Sequence, residues 1–160
     1  MLAEKIMGNC KEQKFYQKEI DYVDIEWHET FKKIHKKVTG TGREIGIRLD
    51  NDILTKGLRQ DDILYMDENL VVAVNIPPCE AIIVKADKDH RHMLVKAAYE
   101  IGNKHSTAFW GKDYNEIIIP YSGPIKELLE KIHGVHIEQK EVLLDFGRSI
   151  SAGIHHHTHG

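Results

Sequence analysis

Over the first half of the chain, apolar and polar residues alternate with a period of two. Ile45, Ile47 and Leu49 fall on one side of an extended segment, Glu44 and Arg48 on the other. Phe15 to Trp27 reads as a strand-like run containing Ile20, Tyr22, Val23 and Ile25, and His28 to Lys32 as a helical turn. Ile34 to Thr39 is extended, Thr39-Gly-Thr-Gly42 turns the chain, and Asn51-Asp52 breaks the strand that precedes it. Ile63–Tyr65 and Leu70–Val74 pair across the polar turn Asp67-Glu68-Asn69. Residues 1–76 are therefore expected to form a small all-β domain of two packed, short-stranded sheets.

The pattern changes at Ile76-Pro77-Pro78, where consecutive prolines supply no backbone donors and stiffen an extended linker. Glu80 to Ala86 is almost continuously apolar, as suits a strand inside a sheet. Met93, Leu94, Ala97, Ala98 and Ile101 then recur at helical spacing. Asp87 or Asp89 is expected to cap that helix, and Gly102 to take the left-handed position just past its end. His105 would then stand at a rigid helix-to-strand junction before a strand at Ser106–Trp110.

A turn at Gly111–Asp113 leads to a strand at Glu116–Pro120 and a second helix from Ser122-Gly-Pro124, with Ile125, Leu128, Leu129 and Ile132 as its apolar face and Gly134 at its end. Val135 to Phe146 supplies the last strand. The order β-α-β-β-α-β over residues 77–146 is that of a ferredoxin-like domain, and residues 147–160 form a flexible His-rich tail. The fold class is α+β.

Composition narrows the chemistry. With 41% hydrophobic and 29% charged residues among 160, the chain has the balance of a soluble globular protein. A formal charge of -3 opposes nucleic-acid binding. No apolar run approaches the roughly 20 residues of a membrane span. No secretory signal is visible, and Cys10 and Cys79 make no C-x-x-C pair, so a reducing cytoplasm is the expected location. Lys32, Lys33, Lys36 and Lys37 bracket Ile34 and His35, as on a solvated strand edge. No nucleophile elbow, P-loop, H-E-x-x-H or glycine-rich dinucleotide loop is present, so no catalytic constellation competes.

The anomaly is histidine: 11 residues, four of them among the last six. His155, His157 and His159 alternate, so one extended segment can present several imidazoles on one side, with His156 between them. Thr158 interrupts the run, unlike a tag of six consecutive histidines. Neutral imidazole is the commonest ligand for nickel, zinc and copper, but the affinity order does not select among them. His90 and His92 lie two apart at a helix start, His133 sits near a helix C-terminus, and His28, His35 and His136 have no partner at ligand spacing.

Leu94-Val-Lys-Ala-Ala-Tyr-Glu-Ile-Gly-Asn-Lys-His105 resembles the signature of the UreE family of urease accessory proteins, nickel metallochaperones of urease maturation. Thr41 to Leu49 is similar to the first-domain hairpin of that family, and the layout of β-rich domain, ferredoxin-like domain and His-bearing tail matches as well. The resemblance implies a partner-binding first domain and a homodimer in which two copies of His105 share one Ni(II), with ligands added by His155, His156, His157 or His159. Zn(II) or Cu(II) would fit the same imidazole set. The resemblance also implies a metal-bridged dimer of dimers, the urease apoprotein complex and the urease accessory GTPase as partners. Glu100 and Pro120-Tyr-Ser-Gly123 stand where other members carry auxiliary histidines.

Three rivals remain. RNA-recognition modules of ferredoxin-like fold need an aromatic strand motif, and ferredoxin-like copper carriers need a C-x-x-C pair; both are missing. The third is a cytoplasmic nickel or zinc buffer that uses the tail alone.

Overall fold

The computed structural model describes residues 1–12, 14–15 and 17–150. It is an α+β chain of small sheets and few helices, divided into one compact unit over Met1–Pro77 and a second that begins at Pro78.

In the first unit, β1 (Leu2–Ala3), β2 (Glu19–Asp24), β3 (Ile34–Val38) and β4 (Glu44–Arg48) precede a one-turn helix α1 (Ile53–Lys56), and β5 (Ile63–Met66) and β6 (Leu70–Asn75) follow it. They form two three-stranded sheets, ordered β1-β4-β3 and β2-β6-β5. The run expected from Phe15 to Trp27 is a strand only over Glu19–Asp24, and Trp27–Glu29 turns as a 3-10 helix. Val23, Ile25, Ile45, Ile47, Ile63 and Leu64 are fully buried between the sheets' strands, each worth about 1.5–3 kcal/mol when removed from water.

Asp21 is buried on β2 and accepts from the Thr41 amide (3.2 Å), the Thr41 hydroxyl (2.5 Å) and Arg43 Nη1 (2.9 Å). Burial pushes this carboxyl up, but hydrogen bonds from Thr39, Thr41 and Arg43 outweigh it and bring its pKa down to about 2. Arg43 also forks onto both carboxylate oxygens of Glu19, at 3.0 Å each. The Thr41–Arg43 turn is thereby clamped to β2.

The edge strand β3 is turned over relative to its hydropathy. His35 is buried, while Ile34 is 71% and Val38 58% exposed. The register explains this: His35 pairs with Ile47 and Lys37 with Ile45, and residues opposite one another share a face. The His35 ring is satisfied by a 3.0 Å bond from Nε2 to the carbonyl of Lys32, and burial pushes its pKa below the ordinary value. Glu29 pairs with Lys37 at 2.5 Å and with Lys32 at 3.7 Å, so the lysine run is partly neutralised, and Lys33 donates to Asn51 at 2.6 Å.

The second unit runs β7 (Cys79–Ala86), α2 (Met93–Asn103), β8 (Phe109–Trp110), β9 (Glu116–Pro120), α3 (Gly123–Glu130) and β10 (Val135–Val142). One antiparallel sheet has the order β10-β7-β9-β8. Ile82, Val84, Ile117 and Ile119 from the sheet meet Ala97 and Ile101 of α2 and Ile125 and Leu129 of α3 in one core.

The last strand stops at Val142 rather than continuing to Phe146. Phe146–Arg148 turns as a 3-10 helix beside β8. The Phe146 ring meets Phe109 edge-on at 5.6 Å, Arg148 Nε donates to the Trp110 carbonyl at 3.2 Å, Arg148 also donates to the Gly111 carbonyl, and Ser149 bridges to Phe109. Residues 147–150, expected in the tail, are thus packed: the two-residue β8 leaves an edge whose backbone groups this segment satisfies.

Candidate metal centre

The C-terminus of α2 differs from its expected form in a way that concerns His105. The helix runs through Asn103, so Gly102 lies inside it, and the left-handed residue is His105, at φ 55. The His105 amide donates to the Gly102 carbonyl (2.9 Å) and the Ser106 amide to the Ile101 carbonyl (3.2 Å). This pair of bonds is a Schellman closure, in which the left-handed position is usually glycine. Histidine tolerates it better than most residues, yet a side chain there still costs about 1 kcal/mol relative to glycine. The closure fixes the direction in which the Cα–Cβ bond of His105 leaves the backbone, and the ring is exposed.

Two faces of α2 are apolar. Ala97 and Ile101 are buried in the core, whereas Val95 is 73% and Tyr99 68% exposed, and Ala98 and Gly102 are exposed beside them. Residues 95, 98, 99 and 102 share one face by their spacing of three and four, and that stripe leads to His105. A Cβ added at Gly102 would meet nothing within 4 Å. Ala98, expected in the inward stripe, is exposed instead and joins Val95 and Tyr99 on this second apolar face. Their signal was available, because no polar residue but Lys96 and Glu100 separates the two apolar faces.

The tail residues His155, His156, His157 and His159 lie outside the described residues. The segment that leads to them is placed: the Ile150 amide donates to the Ala108 carbonyl at 2.9 Å, three residues beyond His105. Among the described residues, no three His, Cys, Asp or Glu side chains already stand around a common point that could hold an ion. Cys10 and Cys79 form no disulfide, and burial, followed by Asp61 and Asp62, pushes the Cys10 thiol up and away from the thiolate a metal requires.

The start of α2 also departs from expectation. Neither Asp87 nor Asp89 caps it; the N-cap position is His92, without a side-chain bond. Asp87 instead meets His136 Nε2 at 2.5 Å, and His90 packs edge-on against His133 with ring centroids 4.7 Å apart. The return of the chain from α3 into β10 brings His133 to His90 and His136, which has no partner at sequence spacing, to Asp87.

Comparison with known proteins bears on the whole chain. Residues 3–77 match the family model of the UreE urease accessory protein N-terminal domain. The urease accessory protein UreE of Acetivibrio thermocellus is 34% identical over 161 aligned residues, covering 99% of this chain and 100% of that protein. The UreE proteins of Helicobacter acinonychis and Helicobacter pylori are each 39% identical over 132 residues, 82% of this chain and 76% of theirs. With the His105 junction, the two-unit layout and full-length similarity in agreement, the chain belongs to the UreE family of urease accessory proteins, a family of chaperones rather than enzymes.

Proposed function

We propose that this chain is a cytoplasmic nickel metallochaperone that carries Ni(II) as cargo to apo-urease during assembly of its metallocentre. Two copies associate through the exposed face of α2, and their His105 side chains share one ion. His155, His156, His157 and His159 add donors from the tail. The observation that carries this reading is the unpaired apolar stripe of Val95, Ala98, Tyr99 and Gly102, which leads to an imidazole held in a left-handed helix closure. An apolar helix face in water calls for a partner, and a two-fold axis through that face brings like residues together.

The sheet order β10-β7-β9-β8 and the element order β-α-β-β-α-β support a ferredoxin-like assignment for the second domain. The first domain, matching the family's N-terminal model, would engage the urease apoprotein complex and the accessory GTPase. The placement of Ile150 beside Ala108 supports tail assistance. His155 is five Cα steps beyond Ile150, a span of at most about 18 Å, and Ala108 lies within about 11 Å of His105. An all-imidazole site without thiolates suits a carrier that must release its ion, and Zn(II) or Cu(II) would compete for it.

Activation of apo-urease complex by the nickel-loaded chain, compared with the same free nickel, tests the reading. A chaperone raises activation above the free-ion level, and a simple buffer does not. Deleting Ile154–Gly160 should lower metal stoichiometry while one tight shared event per dimer persists in calorimetry. Loss of that event on truncation would remove His105 from the centre.

A further inference from the structure

At the opposite end of α2 from His105, four imidazoles and a carboxylate lie near one another in pairwise contact, without yet facing a common point. They come from three places in the chain: Asp87, His90 and His92 from the β7–α2 connection, His133 from the turn after α3, and His136 from β10. The 11-residue helix between this cluster and His105 is about 16 Å long. The two sets therefore cannot serve one ion within a chain.

Close packing and an unmet polar atom mark the cluster. His90 and His133 stand at 88° with centroids 4.7 Å apart, and the His92 ring lies 6.3 Å from His90. Metal–nitrogen bonds of about 2.0–2.1 Å put each imidazole centre about 3.2 Å from an ion, so two rings on one ion have centres about 4.5–5.2 Å apart. The His90–His133 pair already has that separation, and His92, exposed at the helix start, closes the set by a side-chain rotation. His90 Nδ1 is buried without a hydrogen-bond partner; Asp87 Oδ2 stands 3.8 Å away, too far for a bond. Asp87 holds His136 at 2.5 Å, and its other oxygen stands 3.8 Å from His90 Nδ1, where a small side-chain movement would let it accept from a metal-bound His90 as an outer-shell carboxylate does.

Gly134 makes the arrangement possible. It adopts φ +77, and a Cβ there would stand 2.5 Å from the His90 Cβ. Only glycine lets the backbone between His133 and His136 approach His90 so closely.

We propose that His90, His92 and His133 form a second divalent transition-metal site, one per chain, with Asp87 and His136 as positioning residues. Its ligand set of imidazoles backed by a carboxylate fits Ni(II), Zn(II) or Cu(II) and excludes hard ions such as Ca(II). Because it lies within one chain, it binds two ions per dimer, whereas a symmetric His105 pair binds one. Exposed on three of its four imidazoles, it is suited to loading and exchange.

The test uses the full-length chain with His105, His155, His156, His157 and His159 all replaced by alanine, titrated calorimetrically with Zn(II) and with Ni(II). One ion per chain is expected to remain. Adding His133→Gln or His92→Gln, both at exposed positions that leave the core untouched, should weaken that event at least tenfold. In the same five-fold variant, Ni(II) should broaden the imidazole NMR signals of His90, His92 and His133. No residual binding in the five-fold variant, residual binding indifferent to both glutamine substitutions, or unbroadened signals at saturating Ni(II) would each overturn the site. Since the background lacks His105 and the tail, these outcomes do not depend on the shared site.

Discussion

The backbone amide of Ile150 donates to the carbonyl of Ala108 at 2.9 Å, three residues after His105 along the chain. Together with the bond from Arg148 Nε to the Trp110 carbonyl at 3.2 Å, it ties the approach to the histidine-rich segment to the strand that follows α2. A ligand-bearing segment anchored near a metal site meets it at high effective concentration, because the second binding event is intramolecular.

Arg148→Ala should therefore weaken any tail contribution without removing a single imidazole. The expected result is an unchanged number of bound Ni(II) ions, a weaker affinity at the tail-assisted site and a normal thermal midpoint within a few degrees. Calorimetry on the variant and on the tail-deleted chain separates the cases, since the substitution should have no effect once the tail is absent.

Replacing His105 separates backbone from side chain. His105→Gly relieves the left-handed strain at φ 55 and should hold or raise stability by up to about 1 kcal/mol. It should nonetheless abolish the one-per-dimer nickel event, as should His105→Ala, which keeps the strain. Denaturant midpoints and calorimetry measure the two effects, and a His105→Gly chain that still binds one tight Ni(II) per dimer would contradict the shared-ligand reading.

The exposed stripe on α2 carries the proposed self-association. Val95→Asp and Tyr99→Asp place charges at positions 73% and 68% exposed in the single chain, so neither disturbs the core. Each should yield a folded monomer by sedimentation, with an unchanged circular dichroism spectrum and no shared nickel event. Dimers that persist in the double variant would place the interface elsewhere.

Asp21 makes the first unit acid-sensitive. Its folded pKa of about 2 lies below the ordinary carboxylate value of about 3.9, so its stabilisation is present above that ordinary value and is lost as pH falls through the folded one. Asp21→Asn should cost about 1.5–3 kcal/mol near pH 7 through the lost charge-assisted bonds to Arg43 and Thr41. In urea titrations the gap between variant and wild type should shrink from pH 4 towards pH 2. A constant gap would assign the effect to packing.

Much of this protein was legible in one dimension. Alternation over Glu44–Leu49, the apolar run of β7 and the helical spacing from Met93 to Ile101 are local patterns, and hydrophobic burial enforces them wherever the chain folds. The motif ending in His105 and the similarity to UreE relatives over nearly the whole chain likewise reside in residue order. Other features belong to tertiary structure. His35 is inside and Ile34 outside because strand register, not hydropathy, decides which face a residue takes. Gly102 invited the left-handed position, but hydrogen bonding continued α2 to Asn103 and passed that position to His105. Residues 147–150 left the tail because the short strand β8 offered unpaired backbone groups. His90 and His133 became neighbours only when α3 returned the chain at Gly134, a contact between residues 43 positions apart that no spacing rule encodes. Local periodicity determines elements; which distant side chains meet is decided by how those elements pack.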